Sequence, residues 1–575
     1  MFLERTDRSS ARISSRSLNA DGVWTGVTWG EGRVAVEEIA LGLLERGLRP
    51  SESVAIMART RREWTWCDLA IQWAGGITVG IYLGLPDDRL RRDLAAVSAR
   101  RIVVDDETTA ARARSLGLEV LVIEGSGADG LAALREEGRR RRARRPEELR
   151  RRAEALQPET IASLVLTSGT SGEPKAVQLS HRSFCHVTWA SSQVLPHAGK
   201  RALAFLPLAH AFQRYSSYLG LVAEVDAWYA RSLDTVREDL ETVRPQVTAM
   251  VPRILEKIHD EALRRGRAQT GLRGLLFRRG LSARLDAGSA GGIGSLAASL
   301  VGRRIRGALG GRIEFIGAGG APLDPAVAAF FEAFGMPVLE GWGLSETCAP
   351  ASLSTPSARR LGAVGRALPG MEITTAPDGE LRVRGPSLFS GYLDAPAETA
   401  AAFDDEGWLL TGDLGTVDAD GYVWITGRKK DLIVTAGGKK VAPAPLEHAL
   451  TRHPWIEQAM VVGDRHPYLG ALLSLRIEAK QLLSDRIGLD PERPDAEWLA
   501  HPEISEELGR HRAQLNAARP RFEQLGPLGA LSCAPNAEDG TLTPTLKISR
   551  ARLLEREADR VAHLYGVSGA RGDSP

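Results

Sequence analysis

Residues 166–181 read LTSGTSGEPKAVQLSH, and six in a row, Thr167, Ser168, Gly169, Thr170, Ser171 and Gly172, are glycine or carry a hydroxyl. An apolar run at 161–166 leads into them, and Pro174 and Lys175 follow. The pattern predicts a strand that delivers the chain into a phosphate-holding loop. Glycine lets the backbone come close to a ligand and turn its N–H groups toward an anion, hydroxyls add neutral donors, and lysine adds a compact positive charge. A flexible Ser/Gly linker shares the composition, but it does not explain the immediate return to apolar Val177 and Leu179. Nor is this the GxxxxGK[ST] loop of many ATPases, because Lys175 lies three residues after Gly172 with Pro174 between.

The rest of the chain suits an enzyme built on such a loop. With 575 residues it must hold at least two domains. A net charge of +2 supplies no global field for nucleic acid. Cys67, Cys185, Cys348 and Cys533 are far apart and form no metal-ligating spacing, which fits a reducing compartment. The first residues, MFLERTDRSSARISSRS, are too charged for a signal peptide, and no stretch of about 20 apolar residues occurs, so a cytoplasmic location is expected.

Apolar periodicity gives the coarse architecture. Residues 23–31 alternate as a short strand, and Val36, Ile39, Ala40, Leu43 and Leu44 follow the helical i, i+3, i+4, i+7 rule up to Gly47. Strands at 54–57, 77–82, 101–104 and within 118–123, with a helix at 64–74, predict an α/β fold of mostly parallel sheets covered by helices. Residues 135–152 are strongly basic, and 264–306 mix arginines with Leu275, Leu276 and Phe277. A solvated helical face explains the first; peripheral contact with an anionic membrane is the functional alternative for both.

Further along, the strand-like segments 314–323 (EFIGAGGAPL) and 339–347 (LEGWGLSET) each run into glycines. The second continues into a hydroxyl, a carboxylate and a hydroxyl. Either could be a tight structural turn; after a phosphate loop they offer flat backbone and a ring for a base, and a carboxylate for a nucleotide's magnesium. Residues 379–392 alternate as one strand before a turn, and WLLTGDL at 408–414 presents Asp413 after an apolar run. The stretch 425–443, ITGRKKDLIVTAGGKKVAP, marks a domain boundary, and a small domain's worth of strands and helices follows it.

Taken in order, these motifs resemble the adenylate-forming superfamily, and 204–215 (AFLPLAHAFQRY), 251–258 (VPRILEKI) and 540–550 (GTLTPTLKISR) resemble its long-chain fatty acyl-CoA synthetases. That resemblance implies a large N-terminal adenylate-forming domain, 1–428, and a small mobile α+β C-terminal domain, 429–575. It implies Gly319, Gly320, Ala321 and Trp342 around adenine, where tyrosine is commoner than Trp342, and Asp413 and Arg428 on the ribose. Glu346 and Thr167 would hold Mg2+, Thr347 would contact the α-phosphate, His210 would line the carboxylate end of the acyl pocket, and Lys547 would be the catalytic lysine. Lys430 would be the pivot that carries Gly437 and Gly438 to the pantetheine arm of coenzyme A. The implied reaction is fatty acid, ATP and CoA to acyl-CoA, AMP and pyrophosphate. The alternatives are a ligase that loads an acyl carrier protein and a catalytically silent nucleotide- or lipid-binding protein; nucleic acid is not an expected partner.

Overall fold

A computed structural model describes residues 1–19, 21–168, 174–267, 301–536, 539–542 and 548–566, with isolated positions between 269 and 281. The chain divides into two compact units. The first comprises Met1–Thr374, Arg382–Thr411 and Val417–Trp424; the second comprises Thr375–Leu381, Gly412–Thr416 and the chain from Ile425 on.

Two sheets organise the first unit. The larger has nine strands, in the order Arg366–Ala367, Ala349–Leu353, Val338–Leu344, Phe315–Gly319, Val247–Met250, Arg201–Ala204, Asp226–Tyr229, Ile13–Leu18 and Trp24–Thr28. From Val338–Leu344 to Ile13–Leu18 all neighbours are parallel. The second sheet has seven strands, in the order Gly391–Tyr392, Pro174–Ser180, Ile161–Ser168, Ile77–Gly80, Ser53–Met57, Arg101–Val104 and Glu119–Val122. Parallel strands need helical crossovers, so both sheets are helix-covered, as the alternation of short apolar runs predicts.

Two boundaries differ from the sequence reading, each for a local reason. The first long helix begins at Trp29, inside the segment read as a strand, because Thr28 and Glu31 form a reciprocal capping box. The segment 379–392 is not one strand: Glu380–Arg384 ends at Gly385, and Gly391–Tyr392 pairs instead with Pro174–Ser180. Gly385 has φ 151° and is followed by proline, which breaks the ladder between them.

The basic stretch forms the helices Leu131–Arg144 and Glu148–Ala155. Arg135 and Arg139 meet Glu38, which is 3% exposed, and Arg141 bridges Glu45 and Glu148. Arg142 and Arg144 reach Glu37 and Glu45. Much of this charge is therefore turned inward, onto the helix Trp29–Glu45. The two helices touch through glycine: a Cβ on Gly138 would lie 1.8 Å from the Glu38 carbonyl oxygen, and one on Gly42 would lie 2.3 Å from that of Leu134.

One buried ionic cluster ties the covering helices to the seven-stranded sheet. Arg214 Nε donates to Asp68 at 2.9 Å, and Tyr218 donates to the same carboxylate at 2.6 Å. Gln72 donates to Asp68 at 2.8 Å. Arg214 also reaches the hydroxyl of Ser163, on the strand that enters the phosphate loop.

The second unit is α+β. Strands Ile456–Val462, Leu469–Leu475 and Leu525–Ala530 form its sheet, and Leu446, Leu450, Trp498, Ile504 and Leu508 of the helices pack on it. A two-stranded ribbon, Ile433–Val434 with Lys440–Val441, precedes it.

Alanine ordinarily stabilises a helix interior by about 1 kcal/mol over glycine. Gly138→Ala is expected to reverse that sign and lower the thermal unfolding midpoint by several degrees, read by circular dichroism, because the added methyl collides with rigid backbone.

Candidate active site

The predicted phosphate loop joins two strands that form a tight hairpin, with Thr167 opposite Lys175 and Ser168 opposite Pro174. Gly169, Thr170, Ser171 and Gly172 lie outside the described residues, as does Lys547. What the hairpin delivers is Lys175, whose Nζ sits 5.1 Å from the centre of the Tyr392 ring. The Tyr392 hydroxyl donates to Glu346 Oε1 at 2.8 Å. Burial, with the Glu346 carboxylate beside it, holds this phenol above its usual pKa, so it stays a donor across the physiological range. Cation, ring and carboxylate from three distant segments thus form one contiguous group. The sequence reading missed Tyr392, because its strand was read as a continuation of 379–384; its pairing with the loop hairpin is the tertiary fact that recruits it.

Glu346 is placed by an unusual turn. Thr347 Oγ1 accepts from the Leu344 N–H at 2.8 Å and donates to the Ala349 carbonyl at 2.7 Å. Cys348 and Ala349 both have positive φ, 56° and 81°, a conformation costly for residues with a Cβ. Gly343 permits the closure: a Cβ there would lie 1.9 Å from the Ala349 carbonyl oxygen. Thr347 is fully buried, and these two bonds commit its hydroxyl to the turn.

The glycines and ring expected at a base lie at the carboxyl ends of two adjacent parallel strands, the position where open α/β sheets take ligands. Gly319 is opposite Gly341, close enough that a Cβ on Gly319 would come 3.0 Å from the Gly341 carbonyl oxygen. Gly320 has φ 88° and is exposed with Ala321, while Trp342 follows Gly341 and is 8% exposed. His210 caps the helix Ala211–Ala223, its Nδ1 accepting from the Phe212 N–H at 3.1 Å. That structural job fixes its ring in the middle of the motif resembling an acyl site, where the helix Ala211–Ala223 begins.

A separate group belongs to the second unit. Asp413 is 5% exposed and accepts from Arg428 Nε at 2.5 Å. Next to them Lys429 bridges Asp378 and Glu380 at 2.8 Å each, and hydrogen bonds to these carboxylates raise its pKa. Glu380 in turn accepts from the Gly412 N–H at 2.8 Å, one residue before Asp413. Lys430 is exposed in the short turn Lys429–Asp431. Gly437 and Gly438 are exposed at the end of the ribbon, where the Gly438 N–H closes on the Thr435 carbonyl at 2.8 Å.

Among the described residues no group of three or more His, Cys, Asp or Glu could hold a metal ion. A lone carboxylate such as Glu346 instead suits magnesium carried on a polyphosphate, which needs one or two protein carboxylates and takes its other oxygens from phosphate and water. Among the described residues no helix is long and apolar enough to cross a membrane.

Comparison with known proteins places the chain. It is 36% identical to the long-chain-fatty-acid–CoA ligase FadD15 of Mycobacterium bovis over 564 residues, 95% of this chain and 93% of that protein. It is 30% identical to the human long-chain-fatty-acid–CoA ligase ACSBG1, covering 98% of this chain and 84% of that one. The fold is shared with O-succinylbenzoate coenzyme A synthetase of Bacillus subtilis, solved in complex with ATP and magnesium ion, at a TM-score of 0.68 and 20% identity over 96% of this chain and 98% of that one. The AMP-binding enzyme model matches residues 6–393 and that of the AMP-binding enzyme C-terminal domain matches 430–567, so the chain belongs to the AMP-binding enzyme family, the adenylate-forming group that its motifs resemble.

Proposed function

We propose that this chain is an ATP-dependent acid–thiol ligase that activates a long-chain fatty acid as its acyl-adenylate and transfers the acyl group to coenzyme A, releasing AMP and pyrophosphate. The observation that carries the reading is identity to long-chain-fatty-acid–CoA ligases along nearly the whole chain. The Lys175–Tyr392–Glu346 group supports it.

In the first half-reaction a carboxylate attacks the α-phosphorus of ATP, and both reactants are anions, so charge neutralisation is the central task. Lys175 would offset phosphate charge, and Glu346 would hold the magnesium that ATP brings, which would neutralise part of the charge on the phosphates. Tyr392 holds Glu346 through its hydroxyl and underlies Lys175 through its ring, so one side chain fixes the spacing of the two charges. Asp413, a planar acceptor steadied by Arg428, suits paired ribose hydroxyls. Lys547 adds positive charge at the reacting end. The mixed anhydride is already a good electrophile, so no enzyme nucleophile is required. In the second half-reaction the CoA thiol displaces AMP, and Lys547 gives way to Gly437 and Gly438 through a pivot at Lys430.

The test is pyrophosphate release from ATP and magnesium with fatty acids of increasing length, with and without CoA. Acid-dependent release that turns over only with CoA is expected. A burst that CoA does not relieve but an acyl carrier protein does would identify the carrier-loading ligase, and no acid-dependent release would overturn the assignment. Tyr392→Phe should lower kcat/KM for ATP about tenfold, the loss of one hydrogen bond to a charged group; an unchanged value would remove Tyr392 from the site. Lys547→Ala should lose adenylation yet form thioester from supplied acyl-adenylate, and Lys430→Pro should do the reverse. Equal loss of both half-reactions in both variants counts against the pivot.

A further inference from the structure

Strand register in the nine-stranded sheet brings one acidic side chain into an apolar row. Thr248 lies opposite Leu203 and Ile316, and Ile316 opposite Val338; two residues on, Met250 lies opposite Ala318, and Ala318 opposite Glu340. Side chains two apart along a strand share a face, so Met250, Ala318 and Glu340 form the next row on that face. Phe205, Met250 and Ala318 are members of one apolar core cluster, against which Phe212, Val251, Ile254 and Ile258 also pack. Those last residues belong to the two segments that resemble the acyl site. One step further along the same face stands Trp342, the ring expected at adenine. Glu340 therefore lies where acyl-binding segments give way to the nucleotide end.

Its side chain is 9% exposed, and its carboxyl makes no hydrogen bond or ion pair with the described residues. The residue is buried, yet neither carboxyl oxygen is among the fully enclosed polar atoms that lack a partner, so the carboxyl keeps a small opening by which a substrate carboxylate could reach it.

Resting on the ligase reading, we propose that Glu340 is a substrate-binding residue whose protonated carboxyl donates a hydrogen bond to the carboxylate of the fatty acid, holding it for attack on the α-phosphorus. Burial alone pushes the Glu340 pKa up to about 7. Of the elements on this apolar cluster, the helix Pro252–Arg267 carries Arg253, Glu256 and Lys257 as well as His259 and Asp260. The strands Phe315–Gly319 and Ala349–Leu353 carry no ionisable side chain, and Glu332 of the helix Pro325–Ala333 is paired with Arg359. Behind that helix, His259 lies edge-on to Phe330 and beside Asp260. On its own strand's continuation, Glu346 is held by Tyr392. The sign follows: below pH 7 Glu340 is the acid and donates, and above it the ionised group repels a substrate that is itself ionised throughout.

The test uses the full-length protein and ATP–pyrophosphate exchange with hexadecanoate, which isolates the first half-reaction from the CoA thiol. The unaltered protein should show a KM for the acid that is flat below pH 7 and rises about tenfold per pH unit above it, while the KM for ATP is not displaced in parallel. Glu340→Gln keeps a donor and cannot ionise, so it should match the unaltered KM at pH 6.5 and stay flat to pH 8.5. Glu340→Leu should raise the KM for the acid at least tenfold at every pH. An unaltered protein with no rise, or a Glu340→Gln variant that rises in step with it, overturns the proposal. If Glu340→Leu does not fold, the glutamine variant decides alone. Absence of any acid-dependent exchange in the unaltered protein overturns the ligase reading and this one together.

Discussion

The buried pair Asp68–Arg214 is the interaction on which the first unit depends most. Both side chains are almost wholly withdrawn from solvent, at 0% and 3% exposure, so each is tolerable only because of the other. Asp68 has its oxygens occupied by Arg214, Tyr218 and Gln72, and Arg214 spends its remaining reach on Ser163. Removing one partner would strand the other charge, a loss of about 3–5 kcal/mol in comparable buried pairs. The pair couples three elements that hydrophobic packing alone would leave free to slide. These are the helix Arg62–Trp73, the helix that His210 caps, and the strand that enters the phosphate loop.

From that anchor the candidate site divides into parts held by backbone and parts held by side chains. The glycines at 319, 341 and 343 are close-approach positions: the turn leaves no room for a Cβ at Gly343, and the strands leave little at Gly319 and Gly341. Glu346 is held by a strained turn and by Tyr392; in the second unit's own group, Asp413 is held by Arg428. The second unit holds its own elements through an apolar core of Leu446, Leu450, Ile456, Trp498 and Leu525.

Much of this could be read from the chain because its motifs sit where strands end, and strand ends show in sequence as apolar runs meeting glycine. The parallel alternation at 54–57, 77–82 and 101–104 was legible for the same reason. Thr28 was not, because a capping box competes with an alternating pattern that runs through it, and the cap won. Tyr392 was not, because joining it to Lys175 and Glu346 requires a strand pairing between residues 177 and 392. Glu340 looked like one more polar residue in a strand; only the register of neighbouring strands reveals that its row is otherwise apolar. The basic stretch 135–152 read as a solvated face, and its acidic partners lie about a hundred residues upstream, beyond any local pattern.

The turn from Leu344 to Ala349 has one more consequence. Thr347 saturates its hydroxyl inside the turn, and two residues with side chains are forced into the left-handed region to close it. The backbone that carries Glu346 is thus set when the chain folds, and Tyr392 holds the carboxylate it presents. On the ligase reading, a cation arriving beside it would meet a donor whose backbone is already set, so little reorganisation would accompany binding. On that reading the stability spent on an awkward turn would reappear as readiness, two unfavourable torsions holding in place what a looser loop would have to arrange anew for each ligand.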